Sequence, residues 1–391
     1  MTIQKINGIA DLFRPMESRF LEFWKELVLA ESPSSDKACV DKVGQIAKAF
    51  AEELGLSHRT VPFEKAGDGV VIEYNNGSKE APILLGAHMD TVFEVGEFGE
   101  NLFRQEGSIL YGPGVHDCKS GIVLGIAILY LLKESGYTDR PAKLMLTPDE
   151  EGSNTYSGQA GRDFIRREAK GSFCAFNLDG GYEERFIVSR FGILRNNFLI
   201  KGVPAHAGVF YDKGRSAIKE AAHKIIALEK ESILERMTFN CGTIEGGTVT
   251  NVVPEHCKVG IDTRFRDKDA QKEAQEILQR VSDTVFVEDT SCTLESVSFR
   301  PCMTETPASL KLAELYVACH KAVTGKDIAI TGGSRGGSDA SNMAETGLPI
   351  IDTVGIIGSL FHTKQEWADS ATLLPRAEII TQAIHNLPKS L

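Results

Sequence analysis

Three short stretches in the first half of the chain, Ile83–Ala87, Lys143–Thr147 and Cys174–Leu178, are apolar at nearly every position. A strand without polar alternation has no face to offer water, so both of its faces must be covered. Between the first two lies Gly121–Leu132, an uncharged apolar run that reads as a buried helix. A further helix is predicted near Val40–Leu54 and a strand at Val70–Tyr74. Nearer the start, Leu12, Phe13, Met16, Phe20, Phe23, Trp24 and Leu27 recur at helical spacing. Helices alternating with such strands predict an α/β fold, a mostly parallel sheet covered by helices.

The middle of the chain has a different rhythm. Strands are predicted at Phe191–Lys201, Thr238–Glu245, His256–Phe265 and Thr293–Phe299, with helices near Ser216–Glu235 and Ala270–Thr284. The third of these strands alternates, placing Cys257, Val259, Ile261, Thr263 and Phe265 on one face. The resulting order, β-α-β-β-α-β, is the ferredoxin-like α+β arrangement. Helix and strand alternate again after Pro301, at Leu310–Val323, Ile350–Val354 and Ala377–Asn386. The expected organisation is one α/β domain made of residues 1–188 and 302–391, interrupted by an α+β domain at 189–301.

Composition sets outer limits on function. With 391 residues, 42% hydrophobic and 25% charged, the chain has ordinary globular values. A net charge of −11 argues against nucleic-acid or anionic-membrane binding, which relies on clustered Lys and Arg. A small anionic substrate needs only one or two local cations and stays open. The longest apolar run falls short of the ~20 residues that span a bilayer, so no membrane association is expected. Eight cysteines are scattered without a CxxC pair, and the start of the chain lacks a signal-peptide pattern. Both point to the cytoplasm.

The chemistry-bearing residues gather at strand ends. The first apolar strand runs into His88-Met89-Asp90, and residues two apart on a strand share a face. Such a pair is either a solvated loop or a metal-ligating imidazole oriented by a carboxylate. Asp117 lies in the glycine-rich turn Tyr111–Gly121, as a helix cap or as a ligand; His116 beside it competes for the inward position. The next strand leads to Pro148-Asp149-Glu150-Glu151-Gly152-Ser153, and the one after to Asn177-Leu178-Asp179-Gly180-Gly181. Adjacent glutamates are a solvated charge run or a metal ligand beside a general base. Three successive strands deliver acids or His to one sheet edge, where ligands of open α/β sheets bind.

In this order and spacing, HMDTV, GPGVHDCKSG, PDEEGS and NLDGG resemble the M20 family of co-catalytic zinc amidohydrolases and peptidases. The resemblance spans nearly the whole chain. It makes residues 1–188 and 302–391 a discontinuous catalytic, metal-binding domain, and 189–301 an inserted dimerisation (lid) domain. It implies two zinc ions per subunit, with cobalt or manganese also compatible with His and carboxylate ligands. His88 and Asp179 would hold one, Glu151 and His362 the other, and Asp117 would bridge them. Asp90 would orient His88, and Glu150 would be the general base to a water activated by the metal pair. A cis peptide between Asp117 and Cys118 is also implied. In the inserted domain, Gly202–Gly208 is similar to a second His motif, so that His206 would act in trans within a homodimer, stabilising the oxyanion. The segments Gly246–Pro254 and Asp262–Phe265 point to Asn251 and Arg264 as substrate contacts. His58, His223, His256, His320 and His385 fall outside the motifs and read as structural.

Substrate class is suggested by Ser298-Phe299-Arg300-Pro301, which is similar to the segment by which bacterial glutamate carboxypeptidases place an Arg on the terminal carboxylate. A guanidinium fork suits that bidentate contact. The loop Thr331–Ala340 resembles the glycine-rich loop of the same subgroup, implying backbone approach to substrate at Gly336 and Gly337. Arg335 within it is either a second cation or a solvated side chain. The expected activity is release of a C-terminal amino acid, Glu or Asp favoured, from an N-acyl amino acid or peptide. Alternatives are an N-acyl amino acid deacylase, a dipeptidase, and a non-catalytic metal-dependent binding protein. His116 departs from the family, which has a small or hydroxyl residue there.

Overall fold

In a computed structural model of the chain, residues 3–391 are described. They form two compact units, the first comprising residues up to Ser189, Thr304–Ser334 and Ser338–Leu391, the second Arg190–Met303 with Arg335–Gly337.

The first unit is built on a six-stranded sheet. Its spatial order is Ser57–Val61, Gly69–Tyr74, Ala142–Thr147, Ile83–His88, Cys174–Asn177 and Ile350–Ile351. The last four strands are parallel, and the first two add on antiparallel. The parallel strands are sealed: Ile83–His88 and Cys174–Asn177 are buried throughout. The helix Lys119–Glu134 packs on three neighbouring strands of the sheet. It is buried on nearly every side, as an all-apolar helix must be.

The amphipathic N-terminal stretch is two helices, Ile9–Phe13 and Glu17–Leu29, separated by a tight turn at Arg14–Met16. Pro15 lacks an N–H and interrupts the ladder there. Phe13, Phe20, Phe23, Trp24 and Leu27 are fully buried in the core of this unit. The strand expected at Ile350–Val354 stops at Ile351, because the chain turns through buried Asp352 and Thr353 takes a left-handed φ of 57°. Two small sheets were not anticipated. One orders Gly358–Ser359, Trp367–Asp369, Ile109–Tyr111 and Arg104–Glu106; the other pairs Arg185–Ile187 with Ala329–Thr331. Strands of two or three residues carry no periodicity to read.

The second unit is a four-stranded antiparallel sheet in the order Met237–Gly246, His256–Phe265, Gly192–Lys201, Ser291–Arg300. Both helices, Ala217–Glu229 and Lys268–Asp283, pack against it and against each other. In His256–Phe265 the residues Cys257, Val259, Ile261, Thr263 and Phe265 are the buried face. The first helix ends at Glu229 rather than Glu235. A tight reversal pairs Ile233 with Met237, and Ile233 and Leu234 face solvent.

Candidate metal centre

At the carboxyl end of the parallel strands the acids and imidazoles converge. His88 closes Ile83–His88 with 3% of its surface exposed, and Asp90 beyond it is fully buried, so this pair is not a solvated loop. His88 Nδ1 lies 3.3 Å from Asp90 Oδ1, and His88 Nε2 lies 2.9 Å from Asp117 Oδ1. Asp117 does not cap the helix that follows it, which has no side-chain cap. Its other oxygen is 3.5 Å from His362 Nε2, which in turn sits 3.1 Å from Glu151 Oε2. His88, Asp117 and Glu151 form one group of candidate ligand atoms within 4.8 Å of one another; His88, Cys118 and Asp179 form a second. Thus His88, Asp117, Glu151, Asp179 and His362 form one connected cluster. The Asp117–Cys118 peptide is cis.

Asp90 does more than face His88. Its carboxylate accepts the amide N–H of Glu150 at 3.1 Å and of Glu151 at 3.0 Å, and the Ser34 hydroxyl. One buried carboxylate therefore sets both the His88 imidazole and the turn carrying the two glutamates. Glu150 is 8% exposed, and the Glu151 side chain equally so. A solvated charge run would be open to water on most of its surface, so that reading fails.

The electrostatics are those of a site short of positive charge. Burial, and then the charge of Asp117, push the Asp179 carboxyl well above its ordinary range. The same two causes raise Glu151 to about 8. Burial opposes ionisation of Asp117 too, but hydrogen bonds from His362 and His88 outweigh it and hold this carboxyl well below the ordinary range. Hydrogen bonds to Asp117 and Glu151 raise His362 to about 10, against a smaller opposing effect of burial. Three carboxylates crowd two imidazoles, one of which, His88, is buried and the other, His362, half exposed, and protons fill the deficit. Divalent cations suit the same donor set, two imidazoles and three carboxylates, and would invert these preferences. The residues fit the implied ions. Cys118, whose Sγ belongs to the second group and lies 3.7 Å from the Leu178 carbonyl, was not among the expected ligands; burial pushes its thiol well above the ordinary range.

The loop that carries Asp117 is held from below. Trp24 Nε1 donates to the Val115 carbonyl at 3.0 Å. Buried Glu366 accepts three amide N–H groups, from Gly114 at 3.0 Å and from His116 and Asp117 at 2.9 Å each. Sequence reasoning missed Glu366; its only signal was an acid four residues after His362. His116 belongs to neither ligand group. Its ring packs where a Cβ on Gly180 or Gly358 would lie, 2.3 and 2.5 Å from ring atoms. Burial keeps the imidazole below its usual pKa and so neutral.

The second unit holds the remaining expected residues. The His206 loop pairs with the segment bearing Asn251, through Ala207 N–H to the Asn251 carbonyl and Val253 N–H to that of Ala205, both 2.9 Å. His206 Nδ1 accepts the amides of Gly208 and Val209 at 3.1 and 3.2 Å, which leaves the neutral ring's proton on Nε2. Arg264 makes a forked contact with Asp262 at 2.6 and 3.1 Å and donates to the Arg335 carbonyl at 2.6 Å. Arg300 is buried, with Nη1 2.6 Å from where a Cβ on Gly337 would lie. Arg190, another residue that sequence reasoning passed over, donates to the carbonyls of Gly336 and Gly337 at 3.1 and 3.3 Å. Arg335 stacks its guanidinium 4.5 Å above Phe191 and donates to the Leu234 carbonyl at the surface of the unit.

Comparison with known proteins gives the same direction. The family model for peptidase family M20/M25/M40 matches residues 84–386. Carboxypeptidase G2 of Pseudomonas sp. (strain RS-16) is 26% identical over 373 residues, covering 93% of this chain and 88% of that protein. Succinyl-diaminopimelate desuccinylase of Sulfurimonas denitrificans is 25% identical over 308 residues, covering 75% and 80%. Among solved structures, an M20 family metallo-carboxypeptidase from Sulfolobus solfataricus superposes with a TM-score of 0.76 at 15% identity, over 94% of this chain and 98% of that one.

Proposed function

The chain belongs to peptidase family M20/M25/M40, and from that premise we propose that it is a two-metal carboxypeptidase releasing a C-terminal acidic amino acid. The observation that carries the reading is the convergence of His88, Asp117, Glu151, Asp179 and His362, with Glu151 and Asp179 pushed toward protonation by burial and then by the charge of Asp117. His88 and Asp179 would hold one zinc, Glu151 and His362 the second, and Asp117 both. Bound there, two cations supply the positive charge that polarises an amide carbonyl and eases loss of a proton from water.

The chain's own residues do the rest. Asp90, through its contacts to His88 Nδ1 and the amides of Glu150 and Glu151, fixes the ligand imidazole and the base in one register. Glu150 takes a proton from the attacking water and delivers it to the nitrogen of the leaving amino acid, so the C–N bond breaks as a neutral amine departs. His206, in trans within a homodimer, donates its Nε2 proton to the oxyanion of the tetrahedral intermediate; its Nδ1 is occupied by the two amides of its own loop. Arg300 pairs with the α-carboxylate of the departing residue, with the backbone of Gly336 and Gly337 against the substrate and Asn251 in contact with it. Arg264, committed to Asp262 and the Arg335 carbonyl, acts by holding that loop.

The desuccinylase relative favours a second reading, an N-acyl amino acid deacylase with the same chemistry and a different side-chain preference. Amino acid release from N-benzoyl-Glu, N-benzoyl-Lys, N-acetylornithine and a neutral dipeptide by zinc-reconstituted protein separates them. Release confined to the glutamate substrate is expected. Preference for another member would move the substrate and keep the chemistry. Binding of N-acyl amino acids by metal-loaded protein without any release would leave a binding protein instead.

A further inference from the structure

Glu366 is an acid beside the cluster whose carboxylate is spent on three backbone amides. It is 1% exposed, and all three amide protons that reach it, from Gly114, His116 and Asp117, belong to the loop that presents Asp117. A carboxylate is placed in such a position only at a desolvation cost, which charge-assisted hydrogen bonds offset. The residue is itself held on both sides. Its own N–H donates to the Thr363 carbonyl at 3.1 Å, and Thr363 N–H to that of Leu360 at 3.2 Å. That turn carries His362, with Leu360 and His362 at left-handed φ of 59° and 61°. On the other side, Trp367–Asp369 pairs with Ile109–Tyr111, the strand that leads into the Asp117 loop. Glu366 thus joins two segments of distant sequence, one bearing Asp117 and the other His362.

We infer that Glu366 is a positioning residue that sets the separation of Asp117 and His362, and through it the affinity of the cation those two share. The inference rests on the reading of both residues as ligands. A single carboxylate gripping three amides within four residues leaves the loop little freedom to rotate Asp117 away from His362. Residues that orient ligands in this way change metal affinity by about 10–100-fold when altered.

The test is zinc affinity of the full chain, measured by competition with a chromophoric chelator, alongside the melting temperature of the metal-free protein. Glu366→Gln is isosteric and can still accept from two amides, but it turns an NH2 toward the Gly114 N–H. Glu366→Asp keeps the charge and shortens the reach. The expected result is a loss of about 10–100-fold in zinc affinity in Glu366→Gln and a similar or smaller loss in Glu366→Asp. Trp24→Phe is the structural control, because it removes the hydrogen bond to Val115 of the same loop and leaves the three amides in place. Equal weakening by Trp24→Phe, or wild-type affinities in both Glu366 variants, would overturn the inference. His362→Gln separates the two levels: if it weakens zinc and the Glu366 variants do not, only the positioning role fails. If His362→Gln leaves zinc binding unchanged, the ligand reading fails and this inference with it.

Discussion

Both units use side chains that grip backbone, but the edge of the parallel sheet also brings acids and imidazoles of the site into direct contact. At the edge of the parallel sheet, side chains meet side chains: His88 meets Asp90 and Asp117, and His362 meets Glu151. In the inserted unit, side chains meet backbone. Arg190 and Arg264 donate to carbonyls of Arg335–Gly337, and Arg300 lies against a glycine with no Cβ to push it away. The first region concentrates negative charge and needs cations; the second concentrates guanidinium groups around a bare stretch of main chain. The contrast teaches that a cluster of side chains declares its ligand by residue type, whereas a cluster on backbone declares it only through geometry.

The largest effect expected from breaking this contrast is at Glu150. Glu150→Gln should keep both zincs and lose about 10²–10⁴-fold in turnover, because only proton transfer is removed. Metal analysis beside steady-state kinetics checks it. Loss of metal in proportion to activity would move Glu150 into the ligand set, and the division of labour with Glu151 would be wrong.

Next comes the arginine region. Arg300→Ala should lower kcat/KM for N-benzoyl-Glu by about 10–150-fold, the worth of a hydrogen-bonded charge contact. Activity on the same substrate with its α-carboxylate amidated should barely change. Equal losses on both substrates would make Arg300 a structural residue and dissolve the assignment of this unit to carboxylate recognition.

A pH titration sharpens the metal side. Contacts to Asp117 and Glu151 raise His362 from 6.5 to about 10. The folded metal-free protein therefore retains a proton that the unfolded chain releases. That contribution to stability is complete below the unfolded pKa and is lost as pH climbs through the folded one. A cation must displace this proton, so zinc affinity should rise by about tenfold per pH unit for each proton released over that window. The thermal shift on adding zinc should widen in step, and in His362→Gln the slope should flatten. A wild-type affinity independent of pH would refute a protonated His362.

The smallest effect expected is at Gly337. An added Cβ would lie 2.6 Å from Arg300 Nη1, the movable end of a long side chain. Gly337→Ala should cost about 1 kcal/mol, the lower end of overpacking, read as about a fivefold rise in KM with kcat preserved. A drop in kcat with KM unchanged would mean that the loop serves the chemistry and not carboxylate binding.

Much of the fold could be read before any coordinates. The sealed strands Ile83–His88 and Cys174–Asn177 and the helix Lys119–Glu134 are built around the apolar runs Ile83–Ala87, Cys174–Phe176 and Gly121–Leu132, so hydrophobicity placed them. In the inserted unit, His256–Phe265 showed its buried face through strict alternation. Misreadings fell where local pattern is weak. Pro15 broke an otherwise periodic helix, and Thr353 in a left-handed conformation ended a strand that β-branched residues seemed to extend. For the site, the sequence put His88, Glu151 and Asp179 after apolar strands, whereas Asp117, in a glycine-rich turn, and His362 were named through the motif resemblance; folding brings the five side chains together.

What the sequence determined by itself, then, is the longer apolar and alternating elements and the residue types gathered at one sheet edge. Only the tertiary structure decided how they are held. Asp90 grips the amides of Glu150 and Glu151, Glu366 grips those of Gly114, His116 and Asp117, and Arg190 seats on the carbonyls of Gly336 and Gly337. The physical reason is common to all three. Every residue but proline presents the same backbone N–H, and every residue the same carbonyl, so a side chain that bonds to main chain leaves no mark at the partner's position. Such contacts exist only once folding has brought distant segments together.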